Sequence, residues 1–349
     1  MLKALRLAGK LGIGKWSLLV TSGALAGLVG WYWWQTEEVN DLLPIKTSPP
    51  RFTEQLRKKF PENKITVEEE KQKPDSGHRK SHLKIKSFYG DERGSIEAIW
   101  WNKSKKVRDK VLVILPITGD GDPGKFIARY FSVAEGFDVV QILGASRKGF
   151  LDYQEFQSAS HLLRVKNVVR DVDYFMQLRV SNYLQTIAWL KEEKGYRDVY
   201  VLGISLGAIE GSLVALDVNV RAAVLVMGGG DLAEIVMTSK ESFVIRWRLA
   251  LIESLKKVLG RPLQKDEALQ FLRDNFSEAD PLRYVGEVNP KKILMISAKY
   301  DETIPWKNGL KLWREANQPR LIVFSTTHHG IATYGPAILY HVGRFFSAA

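Results

Sequence analysis

Three residue types in this chain are spaced as nucleophilic catalysis requires. Ser205 stands in Gly203-Ile204-Ser205-Leu206-Gly207, a G-x-S-x-G pentapeptide. The run before it, Val199 to Gly203, reads as a strand, and the run after it, Leu206 to Leu216, reads as a helix. A turn that sharp brings backbone close on both sides of the serine, where a Cβ would clash, so both flanks need glycine. Its product is a hydroxyl raised at the end of a sheet. The N–H of Leu206, in the first turn of the helix, then faces the place where an oxyanion would develop. Such a hydroxyl needs a base for its proton, and the base needs an acid to orient it. Asp301 follows the strand-like run Lys292 to Ser297, within Ala298-Lys299-Tyr300-Asp301-Glu302. His328 and His329 follow the strand-like run Leu321 to Phe324. Loops at the carboxyl ends of parallel strands share one edge of the sheet, so Ser205, Asp301 and one of the two histidines are expected there. The chemistry is acyl transfer through a covalent serine intermediate.

The elements that must position these residues alternate between two periods. From about residue 82, SHLKIKSFYG and GSIEAIWWN alternate like an antiparallel pair, and KVLVILPI (Lys110 to Ile117) is a continuous apolar run suited to a strand buried on both faces. A helix over Lys125 to Glu135, a strand over Phe137 to Leu143 and a longer helix over Val172 to Glu193 follow. After the serine segment come a strand over Ala222 to Met227, a helix over Trp306 to Glu315 and a last helix beyond Gly330. This order predicts an α/β fold with a mostly parallel central sheet and helices on both faces, over residues 82–349. Residues 231–280 are helical in period and carry no strand, so they read as a helical cap inserted over the carboxyl edge. In it, Phe243, Ile245, Trp247, Leu249, Leu251 and Ile252 could shape an apolar acyl pocket or a lid; a cap packed permanently on the domain is the alternative.

Other features narrow the function classes. The 349 residues include no cysteine, which excludes a disulfide framework, a zinc–thiolate site, an iron–sulfur cluster and a cysteine nucleophile. No cofactor and no metal are expected. His78 and His82 are four apart but lie in a polar stretch without an acidic ligand pattern, and read as solvated; His161 and His341 read as helical or surface residues. The loop Gly119-Asp120-Gly121-Asp122-Pro123-Gly124-Lys125 fits two phosphate-binding patterns, which makes a nucleotide-binding protein the rival class. Asp120 and Asp122 would put negative charge where a phosphate must lie, and Phe126 stands where a magnesium-binding hydroxyl belongs. No acid follows the next strand to hold a ribose; Arg147 lies beyond it instead. The loop therefore reads as pocket lining. The net charge of +12 raises nucleic acid as a partner, but no basic stripe is interleaved with aromatics as a single-strand binder needs.

Residues 1–36 have another character. Lys3, Arg6, Lys10 and Lys15 are the only charges before Glu37, and Trp16 to Trp34 carries none. Nineteen helical residues rise about 28 Å, close to the roughly 30 Å of a bilayer core. Trp16 stands at one end and Trp31, Tyr32, Trp33 and Trp34 at the other, where interfacial aromatics belong. The segment reads as an uncleaved signal anchor; a cleaved signal peptide, suggested by Ala24-Leu25-Ala26, and a buried core helix are the alternatives. The basic end stays in the cytoplasm and the catalytic domain lies on the translocated side. Gly23 and Gly27 give a GxxxG spacing through which two anchors could pair as a homodimer. Residues 37–81 hold Pro44, Pro49, Pro50, Pro61 and Pro74 among charge runs, and read as a polar linker with one short helix near Phe52 to Phe60. Its basic runs are either solvated or laid on anionic headgroups.

The stretch from about residue 95 onward resembles the α/β-hydrolase superfamily, near its dienelactone hydrolase and esterase branch. The order Ser205, Asp301, histidine is similar to that family's nucleophile, acid and base, and ADPLRY…PKKILMISAKYDETIP resembles the segment around its acid. The resemblance implies Ser205 as nucleophile and Asp301 as acid. It favours His328 as base, because Thr327 stands where the family has a small residue; His329-Gly330 resembles another family ending, so His329 stays open. It also makes Asp231 a second candidate acid. The family's second oxyanion donor comes from the loop after its third strand, where this chain has Pro116-Ile117-Thr118-Gly119; proline has no N–H to give, and Thr118 is the chosen donor over Ile117. The expected function is a membrane-anchored serine esterase or lipase-like enzyme acting on a small-molecule or lipid-like ester. A catalytically silent scaffold of the same fold is the alternative.

Overall fold

The computed structural model describes residues 36–39, 51–60, 66–71, 79–86, 96–102, 109–117, 124–143, 153–276 and 278–349. Their centre is a ten-stranded sheet in the order β1-β10-β9-β8-β7-β5-β6-β4-β3-β2. The strands are β1 (Thr36–Val39), β2 (Thr66–Lys71), β3 (Arg79–Lys86), β4 (Ile96–Asn102), β5 (Lys110–Ile114), β6 (Asp138–Ile142), β7 (Asp198–Ile204), β8 (Val220–Val226), β9 (Ile293–Ala298) and β10 (Arg320–Phe324). From β6 to β10 across the middle every pair is parallel. The antiparallel pairs lie at the two margins: β2, β3 and β4 on one side, β1 on the other.

The continuous apolar runs have a direct cause. Alternate residues of a strand point to opposite faces, and here both faces are covered. Val111, Val113, Val199, Val201, Ala223, Leu225, Leu321 and Val323 belong to one core. Their neighbours Leu112, Ile114, Tyr200, Leu202, Val224, Ile322 and Phe324 belong to the other. The first face is covered by α1 (Arg51–Lys59), α3 (Leu162–Glu192), α4 (Leu206–Val214) and α8 (Trp306–Glu315), and the second by α2 (Gly124–Tyr130) and α9 (Gly335–Ala348). The expected cap region holds α5 (Leu232–Thr238), α6 (Ser242–Leu259) and α7 (Lys265–Asn275).

Three expectations need correction. Residues 37–81 are not only a linker. Phe52, Leu56 and Phe60 of α1 are buried in the first core, and Lys59 Nζ donates to Gln177 Oε1 at 2.8 Å while Arg57 pairs with Asp217 at 3.3 Å. The expected helix is present, but its apolar i, i+4, i+8 stripe pulls it onto the domain, and its basic run faces acidic and amide groups there. The histidine at 82 is likewise part of β3, opposite Ile99, with Nε2 3.4 Å from Glu97 Oε2. Finally, the long helix α3 starts ten residues before the expected Val172, because Val165, Val168, Val169 and Val172 pack under the cap. β-Branched residues weaken a helix in isolation, and tertiary burial overrides that weakness.

Residues 1–35, with the expected anchor, lie outside the described residues; among the described residues no helix is long and apolar enough to cross a membrane.

Candidate active site

Ser205 occupies the turn between β7 and α4 with φ 57° and ψ −120°, a conformation that L residues rarely adopt. The two glycines make it affordable. A Cβ on Gly203 would lie 2.1 Å from the Gly207 carbonyl oxygen, and one on Gly207 would lie 2.7 Å from that of Pro116. The strained turn is held by the Ser205 N–H, which donates to Val226 O at 2.9 Å, and by Ala208 N–H, which donates to Ser205 O at 2.9 Å. Helix α4 is in turn pinned to α3 inside the core. Glu210 Oε2 accepts from Arg179 Nη2 and from the Tyr183 hydroxyl, both at 3.1 Å. Burial raises the Glu210 carboxyl above its ordinary value, with the Arg179 charge opposing.

The loops after β9 and β10 are stitched together: Lys299 N–H donates to Phe324 O and Tyr300 N–H to Thr326 O, both at 2.9 Å. This brings Asp301 and His328 to the serine. His328 Nε2 lies 3.1 Å from Ser205 Oγ, and His328 Nδ1 lies 2.7 Å from Asp301 Oδ2. The other carboxylate oxygen of Asp301 accepts from Thr303 N–H and Ile304 N–H, both at 2.9 Å. Those two bonds fix the carboxylate plane and leave Oδ2 for the imidazole. The Asp301 side chain is 3% exposed and that of His328 10%, so the hydrogen bond between them is shielded from competing water.

The structure distinguishes the alternatives. The imidazole of His329 is 81% exposed and turns away, with Nε2 3.5 Å from Glu241 Oε2. Asp231 does not meet either histidine. It caps α5 through Glu234 N–H, and its Oδ2 accepts from Arg273 at 2.8 Å and Lys311 at 2.7 Å. Burial opposes its charge, yet these two cations hold its carboxyl below the ordinary aspartate value. Leu206 opens α4, so its N–H has no acceptor within the helix and stands beside Ser205 as an oxyanion donor would. Thr118 and the glycine-rich loop at 119–123 lie outside the described residues. Among the described residues no cluster of His, Asp or Glu could hold a metal ion.

A cavity of about 650 Å³ opens at the serine, within the usual range for small-ligand pockets. Its walls are mainly apolar: Ile204, Leu206 and Ile209 around the elbow, Met176 of α3, Leu232, Ile235 and Val236 of α5, and Ile331, Ile338 and Leu339 beyond β10. Sequence reasoning missed the contribution of α9 and Met176, because a residue's periodicity does not say which void its helix borders. It also overstated α6. Of the six residues named there, only Phe243 lines the cavity; Trp247 and Leu251 are fully buried against the domain, and Leu249 is exposed. Phe156 stacks edge-on against Trp247 at 5.0 Å, which marks the cap as packed onto the domain.

Two solved structures share this architecture at low identity. The acetyl xylan esterase from Paenibacillus sp. R4 superposes with a TM-score of 0.60 at 11% identity, over 87% of this chain and 96% of that one. The acylaminoacyl peptidase of Pyrococcus horikoshii superposes with a TM-score of 0.50 at 15% identity, over 74% of this chain and 39% of that one. No protein-family model and no curated protein matches the sequence. At such identities the likeness is one of fold, and that fold is the α/β-hydrolase fold.

Proposed function

We propose that this chain is a serine hydrolase that cleaves carboxylic esters, tethered to a membrane by residues 16–34 with its domain on the translocated side. The observation that carries the hydrolase reading is the continuous Ser205–His328–Asp301 relay on a strained turn at an apolar cavity. His328 Nε2 takes the Ser205 proton as Oγ bonds to the acyl carbon. Asp301 holds the imidazole in the tautomer that leaves Nε2 free and stabilises the imidazolium. The Leu206 N–H, with a second N–H from the loop after β5, receives the oxyanion; each such donor lowers the barrier by about 3 kcal/mol. The tetrahedral intermediate expels the alcohol with the proton from His328. Water then gives a proton to His328 as it attacks the acyl-serine, and the second tetrahedral intermediate collapses to the acid as His328 returns that proton to Ser205 Oγ. The apolar lining suits an acyl chain, and the fold is shared with an acetyl xylan esterase.

The test is labelling of the full chain by a fluorophosphonate probe. Residues 51–60 belong to the core, so the fragment from residue 82 is not a suitable sample. Label on the wild type and none on Ser205→Ala supports an activated serine. A folded wild type that takes no label overturns the reading in favour of a silent scaffold.

A further inference from the structure

The β1 register connects the two ends of the molecule. Trp16 to Trp34 is uncharged and ends in four consecutive aromatics, and Gln35 alone separates Trp34 from Thr36. β1 runs antiparallel to β10, with Thr36 opposite Phe324. Phe324 is the carboxyl end of β10, four residues before His328. The chain leading into β1 therefore reaches the sheet at its carboxyl edge, next to β10 and four strands from β7, which carries the serine. A parallel β1 would have brought it to the opposite edge. Trp34 to Thr36 spans at most about 7 Å, paired strands lie about 5 Å apart, and Phe324 to His328 spans at most about 14 Å. The chain at Trp34 is thus within about 26 Å of the His328 backbone, counted between Cα atoms.

The surface at that edge has interfacial chemistry. Phe126, in the first turn of α2 after β5, borders the cavity and is 67% exposed. Tyr300, in the loop after β9, is 58% exposed. Arg246 of α6 also borders the cavity and is exposed. The cavity wall beyond β10, through Ile331 and Leu339, is built by the chain that leaves the strand beside β1. An exposed aromatic and a cation at an apolar opening, with a second exposed aromatic elsewhere on the same edge, match the boundary of headgroups and acyl chains.

We propose that the carboxyl edge of the sheet, cavity mouth included, rests on the bilayer that holds residues 16–34, and that the substrate's acyl chain enters the cavity from that bilayer. The substrate class is then an acyl ester dissolved in the membrane. This rests on the anchor and esterase readings above, and its test is independent of hydrolysis.

The chain has no cysteine, so single cysteines can be labelled cleanly. Full-length Phe126→Cys, Tyr300→Cys and Val218→Cys variants are labelled with bimane and reconstituted in phosphatidylcholine–phosphatidylglycerol vesicles. Val218 is 81% exposed and precedes β8, at the amino edge of the sheet. Quenching by a doxyl lipid is expected at 126 and 300 and lost at 218; quenching by aqueous iodide is expected at 218 and lost at 126 and 300. Iodide reaching all three positions, or doxyl lipid reaching all three, overturns the proposal. Neither quencher reaching 126 would place part of this chain over the mouth, and also overturns it. A chain that fails to sediment with vesicles removes the anchor reading itself, while fluorophosphonate labelling would stand.

Discussion

The loops after β8 and β9 each carry an aspartate at the same edge of the sheet, and the two carboxylates are used differently. Asp301 accepts two backbone N–H groups on one oxygen and presents the other to a single imidazole. Asp231 sits in left-handed backbone, caps α5 and is claimed by Arg273 and Lys311. A carboxylate between two cations is satisfied and has no lone pair aimed at a base. A carboxylate oriented by two amides and facing one imidazole can hold a tautomer. The environment, not the residue type or the edge, separates a carboxylate that faces an imidazole from one that staples two cations.

Substitutions that exchange the two environments break the comparison most strongly at the base. His328→Ala is expected to lower kcat for ester hydrolysis by about 10⁶, with His329→Ala within about tenfold of wild type. Equal losses at both histidines would overturn the assignment. Asp301→Asn should lower kcat by about 10⁴ with little change in Tm, because the tautomer is lost and the packing is kept. Asp231→Asn should leave kcat within a few-fold, and a loss near that of Asp301→Asn would make it part of the relay.

Asp173 extends the comparison to a carboxylate that is hydrogen-bonded to neither a cation nor an imidazole. It accepts from Gln177 Nε2 and Ala279 N–H, both at 2.9 Å, yet burial pushes its carboxyl up to about 6, the Glu278 charge adding to this and the two hydrogen bonds opposing. Its folded value exceeds its unfolded one, so its contribution is fully present below about pH 4 and is lost as pH rises through about 6. Asp173→Asn keeps an acceptor for Ala279 N–H and removes that dependence. The variant should gain on the order of 2 kcal/mol relative to wild type between pH 4 and 7, read from denaturant unfolding. The smallest effect is expected at Asp231→Ala, about 1 kcal/mol of stability from a lost cap and half-exposed ion pairs, shrinking in high salt.

How much of this was legible follows the range of the interactions. The strand, turn and helix around Ser205 are local, and the reason for Gly203 and Gly207 is a clash between residues four apart and with the loop after β5. The run Lys110 to Ile117 announced burial on both faces because alternation was absent. By contrast, the polar, proline-rich composition around Phe52 hid that the expected helix there belongs to the core, since three apolar side chains at one-turn spacing suffice to dock it. The α6 stripe was visible as apolar, but Trp247 and Leu251 could have faced either the cavity or the domain. Period fixes which residues share a face, and nothing local says what that face meets.

The amino-acid sequence alone determined the alternation of elements, the glycine-flanked serine at a sheet edge, and the presence there of two aspartates and two histidines. Each depends on contacts a few residues apart or on strand order. The tertiary structure decided which aspartate and which histidine meet the serine, and that β1 pairs with β10, the strand that precedes the histidine. The first outcome depends on a few ångströms between loops far apart in the chain and the second on the pairing of β1 with β10, both set by how the strands and helices pack rather than by any local preference.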